Sequence, residues 1–389
     1  MYILVSSFRH TCFKWLSRYT FIVALVLLST MQVQAQLVKW TQDKVGSFLA
    51  DTVSAEQPRF LNYPTLAYSP ETSWEIGLSS LYLYHANRDT ANRLSEINAF
   101  TFFTLESQYG IWLDHALYSD QDQWFFLGRL RGQSFPLYYH GIGEESPDEA
   151  LAVVDARYLI LRERALRRIF GDFYLGLEVD WQRLSNVTFN WEGPPAALPL
   201  GADGSSNLGL GVGLLHDDRH NVLNVRKGWF AELAYLNYGL LNQHALSFSS
   251  FILDSRWYVP TAKQQLLAVQ LYGQSVSGDV PFNQLALMGG ESLMRGYYLG
   301  RYRDRNLLAT QVEYRWLPFP FSRRWGGAVF MGMGGVAPTI GDLNLASLKP
   351  AGGAGVRFLL FKNKDIFTRL DVAFTEEGSG VYFFIGEAF

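Results

Sequence analysis

The chain has 389 residues, a formal net charge of -3 at neutral pH and a mean hydropathy close to zero. This composition excludes a polytopic helical membrane protein, which would be strongly apolar, and it gives no basic footprint for a nucleic-acid partner. Aromatic residues make up 15% of the sequence, and Cys12 is its single cysteine. The classes that remain are a large soluble β protein and a transmembrane β-barrel.

The first 35 residues have the pattern of an export signal. Three basic residues precede an apolar run over 21–28, and Ala35 ends a small-residue cleavage pattern. The apolar run is too short to span a bilayer as a helix. We therefore predict a cleaved signal peptide over 1–35 and export into a Gram-negative-type envelope. Cys12 leaves with this segment, so thiol catalysis, disulfides and cysteine metal sites are excluded from the mature chain.

From about Leu61 onward, short stretches alternate polar and apolar side chains between turn residues. In 309–316, for example, Val312 lies on the apolar face and Glu313 on the polar face. A soluble sandwich would bury the apolar face, whereas an outer-membrane barrel turns that face to lipid and the polar face to the lumen. We predict an all-β fold, a transmembrane antiparallel β-barrel over 60–389 with outer-membrane lipid around it. Aromatic residues at strand ends, as in interfacial girdles, favour the barrel: Tyr82, Tyr84, Trp257, Tyr258 and Trp316.

The number of strands is expected to be even, because both ends of a bacterial barrel normally lie in the periplasm. Fifteen stretches have the pattern of a strand, and a short first strand near 60–68 brings the number to sixteen. In this register the long connections lie outside the cell: 135–150, 186–204, 276–305 and 336–350. The fifteen stretches are 73–84, 94–105, 107–118, 124–134, 151–164, 172–185, 205–217, 228–239, 244–258, 264–275, 306–316, 325–335, 351–361, 365–376 and 380–389.

The longest connection, 276–305, carries the most distinctive residues, Met294-Arg295-Gly296-Tyr297 between glycine-rich flanks. This tetrapeptide resembles the Val-Arg-Gly-Phe/Tyr signature in the sixth extracellular loop of the BamA/TamA superfamily (bacterial surface antigen type). Members of that superfamily insert or translocate proteins at the bacterial outer membrane. Other family-like blocks stand in the expected order over about 60–389. Among them is Asp217-Asp218-Arg219 with Gly228, which is similar to a periplasmic turn of the family.

The resemblance implies that this sixth loop folds into the lumen. Arg295 then needs a carboxylate, because an unpaired cation in a confined space is costly. Alternation places Glu313 and Asp371 on luminal faces, so both are candidates for bidentate pairing. The family often supplies an aspartate from a Phe-x-Asp-x-Gly strand, but Gly332 stands at that place here. We therefore predict Glu313, and then Asp371, as the partner of Arg295; the alternative is a solvated arginine.

Several glycines recur at every second position of the predicted luminal faces. Without a side chain they would let the backbone of the sixth loop approach the barrel wall closely. The alternative is that they only ease the curvature of the barrel. These glycines are Gly209, Gly211, Gly213, Gly332, Gly334, Gly353 and Gly355.

Superfamily members that handle unfolded clients usually carry periplasmic POTRA domains ahead of the barrel. The predicted periplasmic segment here, 36–59, is too short for such a domain. We therefore expect a member without POTRA domains. Either a separate periplasmic or outer-membrane partner supplies client docking, or this barrel handles no clients.

The predicted last strand, 380–389, bears on that choice. In the superfamily mechanism the edges of the first and last strands part, and a client strand adds to the exposed edge. Phe383, Ile385 and Phe389 are expected to face lipid in this closing strand, while Glu387 interrupts the apolar row. The sequence thus leaves two functions open: insertion or translocation of proteins at the outer membrane, and a passive pore or structural barrel.

Catalysis finds little support in the sequence. The cluster His216 to His220 is more simply explained by turn hydrogen bonding and an ion pair than by a metal site. Gly-x-Ser-x-Gly and His-Glu-x-x-His motifs do not occur. We expect neither an enzyme nor a bound metal or cofactor.

Overall fold

The computed structural model describes the barrel region of the chain. The predicted signal peptide, 1–35, and most of the predicted segment 36–59 lie outside the described residues. No helix among the described residues is long and apolar enough to cross a membrane. The described residues are 54, 56–69, 73–105, 107–134, 136–219, 221–240 and 246–389.

Sixteen strands form the wall of a transmembrane antiparallel β-barrel in the described part of the chain. These wall strands are β1 (Arg59–Ser69), β2 (Ser73–His85), β3 (Leu94–Thr104), β4 (Tyr109–Tyr118), β5 (Trp124–Ser134), β7 (Ala152–Phe170), β8 (Phe173–Trp191), β9 (Ser205–Asp217), β10 (Gly228–Asn237), β11 (Phe248–Ala262), β12 (Gln265–Gly278), β15 (Asn306–Trp316), β16 (Trp325–Ala337), β17 (Lys349–Phe361), β18 (Ile366–Thr375) and β19 (Gly378–Ile385).

Three further strands are short and belong to loops: β6 (Leu137–Tyr139), β13 (Ala286–Met288) and β14 (Tyr302–Asp304). Strand β6 pairs with the outer end of β7, and β13 pairs with β14 as a hairpin inside the sixth loop. Single turns of 3-10 helix occupy Ala86–Arg88, Asp120–Asp122, Ile340–Asp342 and Leu345–Ser347.

Each wall strand pairs antiparallel with the next one along the chain, and β19 lies next to β1. Outward faces carry exposed apolar side chains, as at Ile76, Leu177 and Met331. Inward faces carry buried polar side chains, as at Glu313 and Asp371. This division is the one that lipid outside and a polar lumen require. The predicted fold class and the predicted sixteen strands are confirmed.

The strand ends differ from the prediction most at β7, β8, β11 and β19. Strands β7 and β8 both reach 19 residues and run past their predicted ends at 164 and 185, since they stay paired from Phe170 opposite Phe173 to Ala152 opposite Trp191. Strand β11 runs on to Ala262, past its predicted end at 258. The closing strand β19 ends at Ile385 rather than at 389. Gly386 has φ +87°, a left-handed conformation that takes the chain out of the extended path of a strand.

The sixth loop, between β12 and β15, lies against the inner wall. Met288 and Met294 of this loop are fully buried, in a cluster with Ala309 of β15 and Val336 of β16. A side-chain carbon built on Gly334 would lie 3.0 Å from the sulfur of Met288, so a larger residue there would push the loop a few tenths of an ångström away from the wall. The loop therefore fills part of the lumen, as predicted for this fold.

The other predicted luminal glycines make room for wall side chains instead. A carbon on Gly209 would meet the ring of Tyr238 at 2.6 Å, and one on Gly353 would meet the ring of Phe330 at 2.6 Å. Gly211 lies against the Tyr235 carbonyl of its neighbouring strand, and Gly213 and Gly355 lie against luminal carboxylates. The expectation that these glycines admit the loop therefore fits Gly332 and Gly334 and fails for the rest.

Candidate functional site

Arg295 lies at the centre of a buried ion-pair network in the lumen. Its Nη1 donates to Asp371 Oδ2 at 2.6 Å, and its Nη2 donates to Glu313 Oε2. The guanidinium also lies 3.6 Å from the ring centroid of Phe330, a cation–π contact. All three charged side chains are buried to within 1% of complete. The structure thus places both predicted carboxylates on Arg295, one from β15 and one from β18.

Three further arginines from the wall complete this luminal network. Glu313 Oε1 accepts from Arg315 Nε and from Arg357 Nη2, each at 2.9 Å. Asp371 accepts from Arg357 Nη1 at 2.5 Å and from Arg369 Nη1 at 2.7 Å. These arginines are not among the site residues predicted from the sequence. Strand alternation could have placed them on the luminal face, since Arg315 and Arg369 each stand two residues from a luminal carboxylate and Arg357 lies opposite Arg369 in the register.

Glu387 joins the network from the segment that follows β19. Its Oε2 accepts from Arg357 Nε at 2.9 Å and lies 3.6 Å from Arg315 Nε. Backbone carbonyls of Glu291 and Phe389 accept further bonds, from Arg369 and Arg315 respectively. Four guanidinium groups thus share three carboxylates, and the loop, β15, β17, β18 and the segment after β19 are joined at one point.

The rest of the signature also contacts the wall. The Gly296 N–H donates to the Tyr382 hydroxyl of β19 at 3.0 Å, and the Tyr297 hydroxyl donates to the Pro350 carbonyl of β17 at 2.9 Å. Burial raises the pKa of Tyr297 to about 12, so this hydroxyl keeps its proton. Gly296 has φ +108°, and a side-chain carbon there would lie 2.6 Å from the Thr375 methyl group. The signature therefore needs glycine at this position.

The first signature residue, Met294, meets the position where the family often has an aspartate. A carbon on Gly332 would lie 3.2 Å from the Met294 sulfur. Gln311, the register neighbour of Gly332, donates to the Ser292 carbonyl at 2.7 Å and accepts from the Met294 N–H at 3.4 Å. A neutral amide and a thioether therefore occupy the place of the usual carboxylate.

Two other arginines of the sixth loop bind the outer loops. Arg301 donates to Glu377 in the turn between β18 and β19, and to Ser146 Oγ at 2.9 Å. Arg303 Nη2 donates to the carbonyls of Tyr138 at 3.1 Å and Gly300 at 2.8 Å. The loop is therefore anchored at its outer end as well as in the lumen.

The predicted periplasmic turn follows β9. Arg219 makes a bidentate pair with Asp217, with distances of 2.8 and 2.9 Å, and Asp217 also accepts from the Tyr118 hydroxyl at 2.9 Å. Asp218 accepts from the Trp229 N–H, and Gly228 has φ +120° beside that carboxylate. These contacts are the turn hydrogen bonds and ion pair that the sequence suggested.

No group of three or more His, Cys, Asp or Glu side chains could hold a metal ion in the described part of the chain. His216 lies 3.9 Å from Asp218 Oδ2 and between the rings of Phe173 and Trp229, each with its centroid at 4.6 Å. His220 lies outside the described residues.

The same turn crosses the periplasmic end of the barrel to the turn between β17 and β18. Asn221 Nδ2 donates to the Lys364 carbonyl at 3.0 Å, and Asn224 Nδ2 donates to the Asp365 carbonyl at 2.9 Å. Arg226 pairs with the Asp365 carboxylate through two bonds of 2.6 and 2.7 Å. We call the described residues 218–219 and 221–227 the periplasmic strap.

Comparison with known proteins agrees with this geometry. Residues 164–389, more than half of the chain, match the Omp85 superfamily domain. The chain belongs to the Omp85 superfamily. It is accordingly an outer-membrane β-barrel protein, and no curated protein matches its sequence.

Two solved structures show the same fold as this Omp85 barrel. BamA from Haemophilus ducreyi, lacking POTRA domains 1-3, is 12% identical with a TM-score of 0.51, over 84% of this chain and 69% of that one. CdiB from Acinetobacter baumannii is 10% identical with a TM-score of 0.53, over 84% of this chain and 59% of that one. At these identities the likeness concerns the fold alone.

The end of this Omp85 chain differs from the sequence expectation. Phe383 faces outward, with 38% exposure, and Ile385 continues that face as the last residue of β19. Phe389, by contrast, does not face lipid: it is buried in a cluster that includes Phe367, and its ring centroid lies 5.2 Å from the Arg315 guanidinium. The cause is again Gly386, which turns the chain inward and aims Glu387 at the luminal network.

Proposed function

We propose that this barrel inserts or translocates proteins at the outer membrane through the seam between β1 and β19. The observation that carries the proposal is Pro64 in the middle of β1, opposite Leu78 of β2. Proline has no N–H for a ladder and is found within sheets on edge strands or at bulges. A proline at this place fits a strand whose outer edge opens toward an incoming chain.

The other side of the seam supports the same proposal. Strand β19 has 8 residues, against 11 in β1, and it begins Gly378-Ser379-Gly380. Glycine within a strand weakens pairing, because it supplies no side chain to pack and loses more conformational entropy. The seam therefore joins a proline-containing strand to a short, glycine-containing one.

The signature loop would hold the β19 side in place while the seam opens. Tyr382 of β19 accepts from the Gly296 N–H, and Asp371 of the adjacent β18 binds Arg295. A client strand would then add to the released edge by backbone hydrogen bonding, as in β-augmentation. In this mechanism the loop fixes one edge and the client occupies the other.

Client docking forms a separate part of the proposal. We propose that another periplasmic or outer-membrane protein brings the client to the seam. The support is that every strand in the described part of the chain belongs to the barrel wall or to its loops, so none of these strands forms a docking domain.

A photo-crosslinking experiment in living cells tests the proposal. Crosslinkers replace Tyr63 on β1 and Phe383 on β19, and a control crosslinker replaces Leu177 on the lipid face of β8, which is 68% exposed. We expect adducts with newly exported outer-membrane proteins at the two seam positions and none at Leu177. The same adducts should be lost in the Arg295→Ala protein. Crosslinks that stay within the chain would contradict an insertion role.

The alternative function is a passive pore or a structural barrel without clients. Of these two, the structural barrel is supported by the periplasmic strap, which ties Asn221 and Arg226 to the opposite wall. Conductance across a planar bilayer separates the two. A structural barrel stays closed until the sixth loop is deleted, whereas a passive pore conducts with its loop in place.

A further inference from the structure

Three aromatic side chains share the luminal face of β3 and β4. Phe100 and Phe102 are stacked with ring centroids 5.6 Å apart, and Trp112 meets them edge-on at 5.6 and 5.4 Å. We call these three residues the aromatic platform. A barrel lumen is normally lined by polar side chains, so this apolar surface on the inner wall is unusual. Phe102 is fully buried, while Phe100 and Trp112 remain partly exposed to the lumen.

Polar groups frame the platform and fix its orientation. The Trp112 indole N–H donates to Gln133 Oε1 at 2.7 Å, and the Arg131 guanidinium lies 4.3 Å from the indole centroid. Arg131 is held there by Asp114, through Nε to Oδ1 at 3.2 Å and a second bond. Because the Arg131 guanidinium already makes this cation–π contact with the indole, a cationic ligand would gain little from binding at the platform.

A cavity of about 440 Å³ lies in front of the platform. It runs along the inner wall from Leu137 and Leu299 near the outer end to Glu387 near the periplasmic end. Its volume falls in the range of small-molecule sites, roughly 300–1,000 Å³, and an aromatic lining with a few polar groups is typical of such sites. An elongated ligand of several rings suits this shape.

The charge of the lining selects against anions. Two guanidinium groups, of Arg131 and Arg369, face this cavity together with four carboxylates. Anionic ligands such as phosphate-bearing molecules are therefore disfavoured. One lining hydroxyl, Thr65 Oγ1, is buried without a hydrogen-bond partner among the described residues. The four carboxylates are those of Glu75, Asp114, Glu291 and Glu387.

The backbone behind the platform cannot recruit a ligand by strand addition. Phe100 pairs with Trp112, Trp112 pairs with Arg131, and Arg131 pairs with Ile160, so these strands have neighbours on both sides. Recognition here must therefore use side chains. The cavity nevertheless extends to the seam, since Tyr63 and Thr65 of β1 and residues 379–385 of β19 also line it.

We propose that the cavity binds a neutral linear saccharide. The C–H groups of a sugar ring carry a small positive charge and pack on the negatively charged faces of aromatic rings. The ring hydroxyls hydrogen-bond to the carboxylate of Asp114 and the amide of Gln133. This binding does not require client insertion, although β1 and β19 line part of the cavity, and it involves no covalent step.

Calorimetric titration of the full chain tests this proposal. The protein is purified in a polyoxyethylene detergent, because a maltoside detergent would offer its own sugar. The probes are maltohexaose and cellohexaose at up to millimolar concentrations. We expect saturable binding of at least one probe, weakened about tenfold or more by Trp112→Ala, since the stacking area is lost.

Two variants keep the result interpretable. Trp124→Ala removes an indole from the outward face of the adjacent β5, where 40% of the residue is exposed, and should bind like the wild type. Gln133→Ala keeps the platform but removes a hydroxyl partner, and it should weaken binding if Trp112→Ala fails to fold. Folding of each variant is checked by heat-modifiable migration in electrophoresis.

Three outcomes would overturn the proposal. The first is that neither hexasaccharide binds to the folded wild type. The second is that folded Trp112→Ala, or in its place Gln133→Ala, binds as tightly as Trp124→Ala. The third is tighter binding of the phosphorylated core oligosaccharide of lipopolysaccharide, which would contradict the selection against anions.

Discussion

Met294 and Gly332 occupy complementary space in the lumen, since a side-chain carbon on Gly332 would lie only 3.2 Å from the Met294 sulfur. Both positions depart from the family-like pattern, in which valine begins the signature and an aspartate stands in the strand. The two departures fit each other, because the longer methionine fills the volume that the missing carboxylate leaves. Arg295 is meanwhile neutralised by Glu313 and Asp371.

Gly332→Asp should destabilise the barrel, because the new carboxylate overlaps Met294 in a packed site. Overpacking of this kind costs about 1–3 kcal/mol. The double variant Gly332→Asp with Met294→Val should recover part of that loss, since valine is shorter. Thermal unfolding followed by heat-modifiable migration measures both. A single variant as stable as the wild type would show that the two positions are not coupled.

Glu313→Gln should lower stability strongly, because three guanidinium groups share this fully buried carboxylate. Removing one partner of a buried ion pair costs about 3–5 kcal/mol. Glu376→Gln, in the exposed turn after β18, is the matched control and should behave like the wild type. Equal thermal unfolding of Glu313→Gln and the control would exclude Glu313 as the main partner of Arg295.

Arg226→Ala should loosen the periplasmic strap without unfolding the barrel. The pair of Arg226 and Asp365 is partly exposed, so its loss should cost about 1 kcal/mol or less. Hydrogen–deuterium exchange over 221–227 should nevertheless become faster, as the segment loses its bonds to the opposite wall. Lys227→Ala changes an exposed neighbouring cation and serves as the control. Unchanged exchange in Arg226→Ala would mean that Asn221 and Asn224 hold the strap alone.

The outer end of the sixth loop should respond to acid through His140. Burial, and then the nearby Arg301, lower the pKa of His140 from its usual 6.5. A lowered pKa means that the folded state favours the neutral ring. The ring's contribution to stability is therefore present above pH 6.5 and is lost as the pH falls through the lowered pKa.

Protection of the loop after β6 against hydrogen–deuterium exchange, relative to the intrinsic rate at each pH, should accordingly fall below pH 6.5 in the wild type. His140→Asn keeps a side-chain donor for the Pro147 carbonyl, which lies 3.1 Å from Nδ1, but it does not titrate. The variant should show the same protection on both sides of pH 6.5. An equal response of the two proteins to acid would assign the effect to another group.

Alternation and parity were enough to predict the barrel, its sixteen strands and the luminal faces of Glu313 and Asp371. They work because each wall residue has only two possible directions, toward lipid or toward the lumen. They say nothing about how far a side chain reaches along the wall, so the contact of Arg357 with Glu313, two strands away, could not be predicted. Phe389 shows a second limit: its inward turn depends on the positive φ of one residue, Gly386, which the apolar pattern of the strand does not reveal.

The span of the Arg295 contact sets an order on the assembly of the barrel itself. Arg295 and Asp371 are 76 positions apart, and four wall strands, β15 to β18, end or begin between them. The bond between Arg295 and Asp371 therefore cannot form until β18 is in place. Until then Arg295 has only one of its two carboxylate partners, Glu313 of β15. Both carboxylate bonds of Arg295 are therefore present only when β18 has joined the wall.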